Sequence, residues 1–173
     1  MDTIVDVRAD VEKETLTAYL REQRAAVLAI VDGLDDAALR TPVVPSGWTP
    51  LGLVWHLGGA EMYWFQIVLA GRVPDDGGDD DSDDGGPAEG FRVDEPVAEV
   101  LEAYRDQCRQ SDEVLASVAL DASPSGPIAP VHTELARSVR TIVLHMIEET
   151  ARHAGHLDIA RELLDGRTGL GPR

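Results

Sequence analysis

Near the end of the chain, four side chains able to ligate a metal or carry a proton recur at helical spacing: His145, Glu149, His153 and His156. With a turn of about 100° per residue, His153 falls about 40° to one side of Glu149, and His156 and His145 about 20° and 40° to the other. Ile142, Met146, Leu157, Ala160, Leu163 and Leu164 share that stripe, so this face is expected to pack into a core. An ionised carboxylate there is costly unless it is paired or bound to a metal. Glu149 and His153 are spaced so that both reach one ion. A separate helical stretch offers His56, on a face with Gly52, Leu53, Gly59, Ala60, Tyr63 and Ile67. The small residues beside it leave room for a ligand or an incoming helix. His56, Glu149 and His153 together would form a two-histidine, one-carboxylate set with a position left open, the pattern of catalytic zinc and of other divalent ions. The same residues admit plainer roles. Each histidine is able to be a hydrogen-bonded core residue, and Glu149 to pair with Arg152 or with an arginine of another helix. Spacing alone does not bring His56 to Glu149.

The elements that must position these groups are helices. The first is predicted from Val11 to Asp32, with Leu16, Leu20, Val27, Leu28 and Val31 at helical spacing. Gly33 breaks it, and a short turn over 34–39 extends it. Pro42, Pro45 and Gly47 mark the next stretch as a loop. Thr49 then caps a second helix with Pro50 at its first position, running to about Ala70 and stopping at Gly71. Between 74 and 90, seven aspartates interleaved with glycines predict a solvated, mobile loop, without the residue order of a calcium-binding EF-hand. A third helix spans roughly Pro96 to Leu120, marked by Val97, Val100, Leu101, Tyr104, Cys108 and Leu115. The fourth begins between Thr133 and Arg137 and runs to Asp165, with Gly166 as its stop. The expected architecture is all-α, an up-and-down four-helix bundle forming one domain over 1–173, with its site built from side chains of facing helices.

Charge and composition narrow the function. The net charge is −17, from 32 acidic and 15 basic residues, and Lys13 is the only lysine. No basic stripe offsets this, so nucleic acid and anionic membranes are not expected partners. The longest apolar stretch, Leu51 to Ala70, is interrupted by His56, Glu61 and Gln66, and no secretory signal precedes it. A cytoplasmic protein is expected. The lone Cys108 excludes an intrachain disulfide and sits among apolar residues, as a core thiol rather than a nucleophile. Trp48, Trp55, Tyr63 and Trp64 surround His56 in sequence and read first as core, second as pocket walls. Neither His-Glu-x-x-His nor paired Glu-x-x-His occurs, which argues against a zincin protease and a di-iron site.

Two segments carry a resemblance. Pro45-Ser-Gly-Trp-Thr-Pro-Leu-Gly-Leu-Val-Trp-His56-Leu-Gly-Gly-Ala-Glu61, followed by Tyr63-Trp64-Phe65, resembles the second helix of the DinB-like superfamily. His145-Met-Ile-Glu-Glu149-Thr-Ala-Arg-His153-Ala-Gly-His156-Leu-Asp158 resembles its last helix, in an actinobacterial branch of unknown function. The order histidine, glutamate, histidine is similar to that of mycothiol-dependent maleylpyruvate isomerases. The resemblance implies one divalent metal on His56, Glu149 and His153, zinc first, with nickel, iron and manganese as alternatives. It implies a thiol transferase or isomerase, using mycothiol as co-substrate with a small electrophile. His145 and His156 would then be outer hydrogen-bond partners or pocket walls, and Arg152 and Arg161 contacts for the thiol's polar groups. A homodimer is compatible with it. The other readings are a non-catalytic metal-binding or small-molecule-binding bundle, and a hydrolase using metal-bound water.

Overall fold

The computed structural model describes residues 2–72, 91 and 93–169. The Asp/Gly-rich segment expected as a loop lies outside them. Helix α1 runs over Asp2–Val31, a short α2 over Asp36–Leu39, α3 over Pro50–Glu61, α4 over Val97–Ser117 and α5 over Val139–Asp165. Among the described residues there is no strand, and no helix is long and apolar enough to cross a membrane. The all-α class is as expected. Thr49 caps α3 as read from the sequence, its hydroxyl accepting from the Gly52 amide at 3.1 Å. Gly71 and Gly166 end their helices at φ +67° and +78°, a left-handed conformation that favours glycine.

Three local expectations are corrected. Helix α1 begins at Asp2, well before Val11. Helix α5 starts later than expected, because Ser138 and Thr141 close a reciprocal capping box that fixes the first turn. The second helix is α-helical only to Glu61; Met62–Leu69 is wound as a π-helix. Its end is tied down from outside, where the amides of Ser125 and Gly126 donate to the carbonyls of Leu69 and Val68 at 3.1 and 2.9 Å. A Cβ on Gly126 would lie 1.9 Å from the Ile67 carbonyl oxygen, so only glycine permits that approach.

The core has two halves. One gathers Leu20 of α1, Trp64, Phe65 and Val68, Val114 and Leu115 of α4, and Ile142 and Met146 of α5. The other gathers Val27, Leu53 and Leu57, Val100 and Tyr104, and Ala154 and Leu157. The order of residues in each half fixes the chain directions. Helices α1 and α5 run one way and α3 and α4 the other, so the path is up-down-down-up rather than a simple alternation. The long connection between Leu69 and Val97 is the reason, since it returns the chain to the end where α3 began. Between the halves lies a polar layer. The buried Arg24 guanidinium donates to both Glu61 carboxylate oxygens at 2.8 and 2.6 Å, and to Asp112 at 2.9 Å. Burial works against the Arg24 charge, but the Glu61 carboxylate outweighs it and holds the guanidinium firmly protonated.

Candidate metal centre

The seam between α3 and α5, which run antiparallel, brings His56 and Glu149 together, as the sequence alone could not establish. Glu149 Oε1 lies 3.2 Å from His56 Nε2 and 2.9 Å from His153 Nε2. The two imidazole rings stand 5.0 Å apart, nearly edge to face. One ligand atom from each of the three residues falls within 4.8 Å of the others. All three side chains are partly buried, reachable but sheltered. Hydrogen bonds from His153 and then His56 hold the Glu149 carboxyl well below the usual carboxylate range, and burial offsets only part of this.

Local packing fixes each member. A Cβ on Gly52 would lie 1.7 Å from the Phe91 carbonyl oxygen, so the chain returning at Phe91 lies directly on α3. It sets the Phe91 ring 5.0 Å from His56. His153 presents its other nitrogen, Nδ1, to His156 Nδ1 at 3.3 Å. His156 is exposed rather than buried, with Trp48 against it at 6.1 Å. Burial, then the neighbouring His153, lowers its pKa, which favours the neutral ring. His145 turns away from the carboxylate hydrogen bonds and packs on Trp64 at 4.8 Å. Burial lowers its pKa as well, against the pull of Glu149.

The donor set suits a divalent ion of borderline softness: two imidazole nitrogens and a carboxylate oxygen, on two helices, converging on one point. Among the described residues no other histidine, cysteine, aspartate or glutamate joins this group.

Other expectations come out differently. Arg161 is buried and spent on the fold, its guanidinium donating to the carbonyls of Ile30 and Asp32 at 2.6 and 2.7 Å and to Asp165 at 2.8 Å. It caps the carbonyl end of α1 and is not brought to the three ligands. Arg152 pairs with Glu148 on the exposed side of α5. Leu163, expected to face inward, is 59% exposed. Cys108 is a half-buried thiol whose pKa burial, then the Glu61 charge, push up to about 12. Two residues near the seam carried no signal in the sequence. Phe91 lies past the acidic segment, and His132 lies in a 3-10 turn, Pro130–His132, without helical neighbours.

A profile of the mycothiol-S-transferase family matches residues 15–166. No curated protein and no solved structure matches the chain. The matched span holds all three converging side chains and most of the bundle that positions them, and the chain belongs to the mycothiol-S-transferase family.

Proposed function

We propose that the protein is a divalent-metal-dependent mycothiol S-transferase that joins the thiol to a small electrophile. One observation carries the reading: in a chain of this family, two imidazole Nε2 atoms from two helices converge on a single Glu149 oxygen. His56, Glu149 and His153 would hold the ion, zinc first. Bound there, a divalent ion supplies Lewis acidity that favours the deprotonated, nucleophilic form of a thiol near neutral pH. The chain's own groups do the rest. Phe91 packs against the ligand His56 and limits water there, while Trp48 packs against the outer His156. Were His153 to hold the ion through Nε2, its Nδ1 would carry the proton and donate to His156 Nδ1, 3.3 Å away, which would fix the ring orientation. Cys108 is no competing nucleophile, because at about 12 its thiol stays protonated.

Metal analysis and spectroscopy test this. The purified protein is expected to carry or take up about one divalent ion per chain, and His56→Ala and His153→Ala to lose it. Adding mycothiol to the cobalt-substituted protein should produce a sulfur-to-metal charge-transfer band. It should also raise the thermal midpoint, because a ligand that binds only the folded state stabilises it. Unchanged metal content in both variants removes the site. A cobalt spectrum indifferent to mycothiol, with metal still bound, leaves a structural metal and no transferase.

A further inference from the structure

The outer faces of α1, α4 and α5 are charged, as those of soluble helices ordinarily are. Glu22 is exposed on α1, Glu102, Arg105 and Arg109 on α4, and Glu148 and Arg152 on α5. The helix that supplies His56 departs from this. From Pro50 to Leu69 the only acidic or basic residue besides His56 is Glu61, and Glu61 is buried against Arg24. Solvent on this side meets Trp55, 43% exposed, then Gly59, then Met62, 38% exposed. At about 100° per residue the three lie within about 60° of one another, on one stripe. The returning chain at Phe91 covers the helix at Gly52, but one turn on, Trp55 is open.

Gly59 sets this face apart. Glycine inside a helix costs stability relative to alanine, and it is kept where φ is positive or where a neighbour leaves no room for a Cβ. Neither holds at Gly59. Its φ is not positive, and a Cβ there would meet nothing within 4 Å. Gly52 is the contrast, with a carbonyl oxygen 1.7 Å from the same point. Residues three and four apart on a helix are neighbours, about 5–6 Å between Cβ atoms, so the gap at Gly59 adjoins both His56 and Trp55. It is a notch one side chain deep, floored by helix backbone and bounded by an indole. The His56 side chain is itself 35% exposed, so a molecule in the notch would lie within reach of the metal centre.

We infer that the Trp55–Gly59–Met62 face holds the electrophile that the thiol attacks, and that this electrophile is uncharged and apolar. This rests on the S-transferase reading, since it concerns what the thiol is joined to. Contact with an indole, a thioether and helix backbone favours apolar surface and penalises a carboxylate that finds no partner. The molecule as a whole, at −17, repels anions. The charge of a divalent ion on the three ligands would be matched by Glu149 and a thiolate, leaving none to attract an anionic acceptor. A face built to meet a second copy of the chain would gain from a side chain in the notch, because filling it buries more apolar area. An empty notch beside a ligand histidine suits a small molecule.

Two unreactive rings, p-nitrotoluene and p-nitrobenzoate, differ in charge and test this with the zinc-loaded protein. In NMR titration p-nitrotoluene should shift the Trp55 indole N–H resonance, assigned by its loss in Trp55→Phe. The anionic p-nitrobenzoate should bind at least about tenfold more weakly. Gly59→Leu fills the notch with a better helix former. It should keep its zinc and melt no lower than the wild type, yet bind p-nitrotoluene about tenfold more weakly by calorimetry. Trp55→Ala removes the ring and should lose affinity to a similar extent, and it provides the test should Gly59→Leu fail to fold. Equal binding of the two probes, or undiminished binding by both variants, overturns the inference. So does a wild-type dimer that Met62→Glu converts to monomer, since a second copy then covers the face. Transfer is scored separately, with mycothiol and p-nitrobenzyl chloride: the thiolate sulfur bonds the benzylic carbon and chloride leaves with the bonding pair. Enzymic product alongside any of the adverse binding results leaves the transferase reading standing. Probe binding as expected but no enzymic product overturns that reading, and the assignment of the face with it.

Discussion

Glu149 accepts hydrogen bonds from two histidines through one oxygen, and His153 in turn meets His156, so the centre is a chain of contacts rather than three independent ligands. Removing the outermost link tests that arrangement. His156→Ala is expected to retain metal but bind it about 10–100-fold more weakly, the usual effect of losing an outer partner. Metal loss as complete as in His153→Ala would make His156 a ligand instead. Cys108 gives a second test. With its thiol pushed up to about 12, alkylation by iodoacetamide at pH 8 should run at least about a hundredfold slower in the native protein than in urea, because only the thiolate reacts. Comparable rates in both states would place a reactive thiol in the fold. The triad residues were legible in the sequence because types and spacing on α5 admit few roles, and the resemblance supplied the partner on α3. His132 was not legible, since a turn carries no periodicity. Arg161 misled for another reason: a long side chain can reach back to cap a neighbouring helix, and no sequence pattern records that.

Helix ends and seams explain how the centre is held. Gly52 admits the Phe91 backbone onto α3, and Phe91 shelters His56. Gly52→Ala leaves the helix itself intact, even favouring it by propensity, yet it must displace Phe91. The expected outcome is a protein of near-normal helicity by circular dichroism whose metal affinity is clearly reduced. Unaltered affinity would show that Phe91 does not shape the site. The Arg24–Glu61 pair anchors the last α-helical turn before the π-winding. Glu61→Ala strands a buried guanidinium that keeps its contact with Asp112, and should lower the unfolding free energy by about 3–5 kcal/mol in urea titration. Replacing both Arg24 and Glu61 by apolar residues should restore much of that loss. A single variant as stable as the wild type would mean that water already reaches the pair. Most helices and the α3 cap were legible from periodicity and turn chemistry. The π-winding was not, because no residue type specifies it and the amides that hold its end, those of Ser125 and Gly126, lie far along the chain.

The whole molecule carries a net charge of −17, and like charges on a compact body repel. Raising sodium chloride from 10 to 150 mM should therefore raise the thermal midpoint by a few degrees as screening shortens the Debye length to about 8 Å. A midpoint that falls instead would show that the surface ion pairs outweigh the general repulsion. The bundle class was legible from four amphipathic stretches, but the order of directions was not. It is the length of the connection after Leu69 that allows α4 to start beside the beginning of α3. That topology has a practical corollary. Because α1 and α5 run parallel, the start of α1 and the end of α5 lie at opposite ends of the bundle, separated by roughly 40 Å for a helix of 27 residues at 1.5 Å each. Circular permutation would need a linker of at least about 12 extended residues to join them. Two domains fused to the two ends would instead be held apart by a rigid rod, with neither crowding the other.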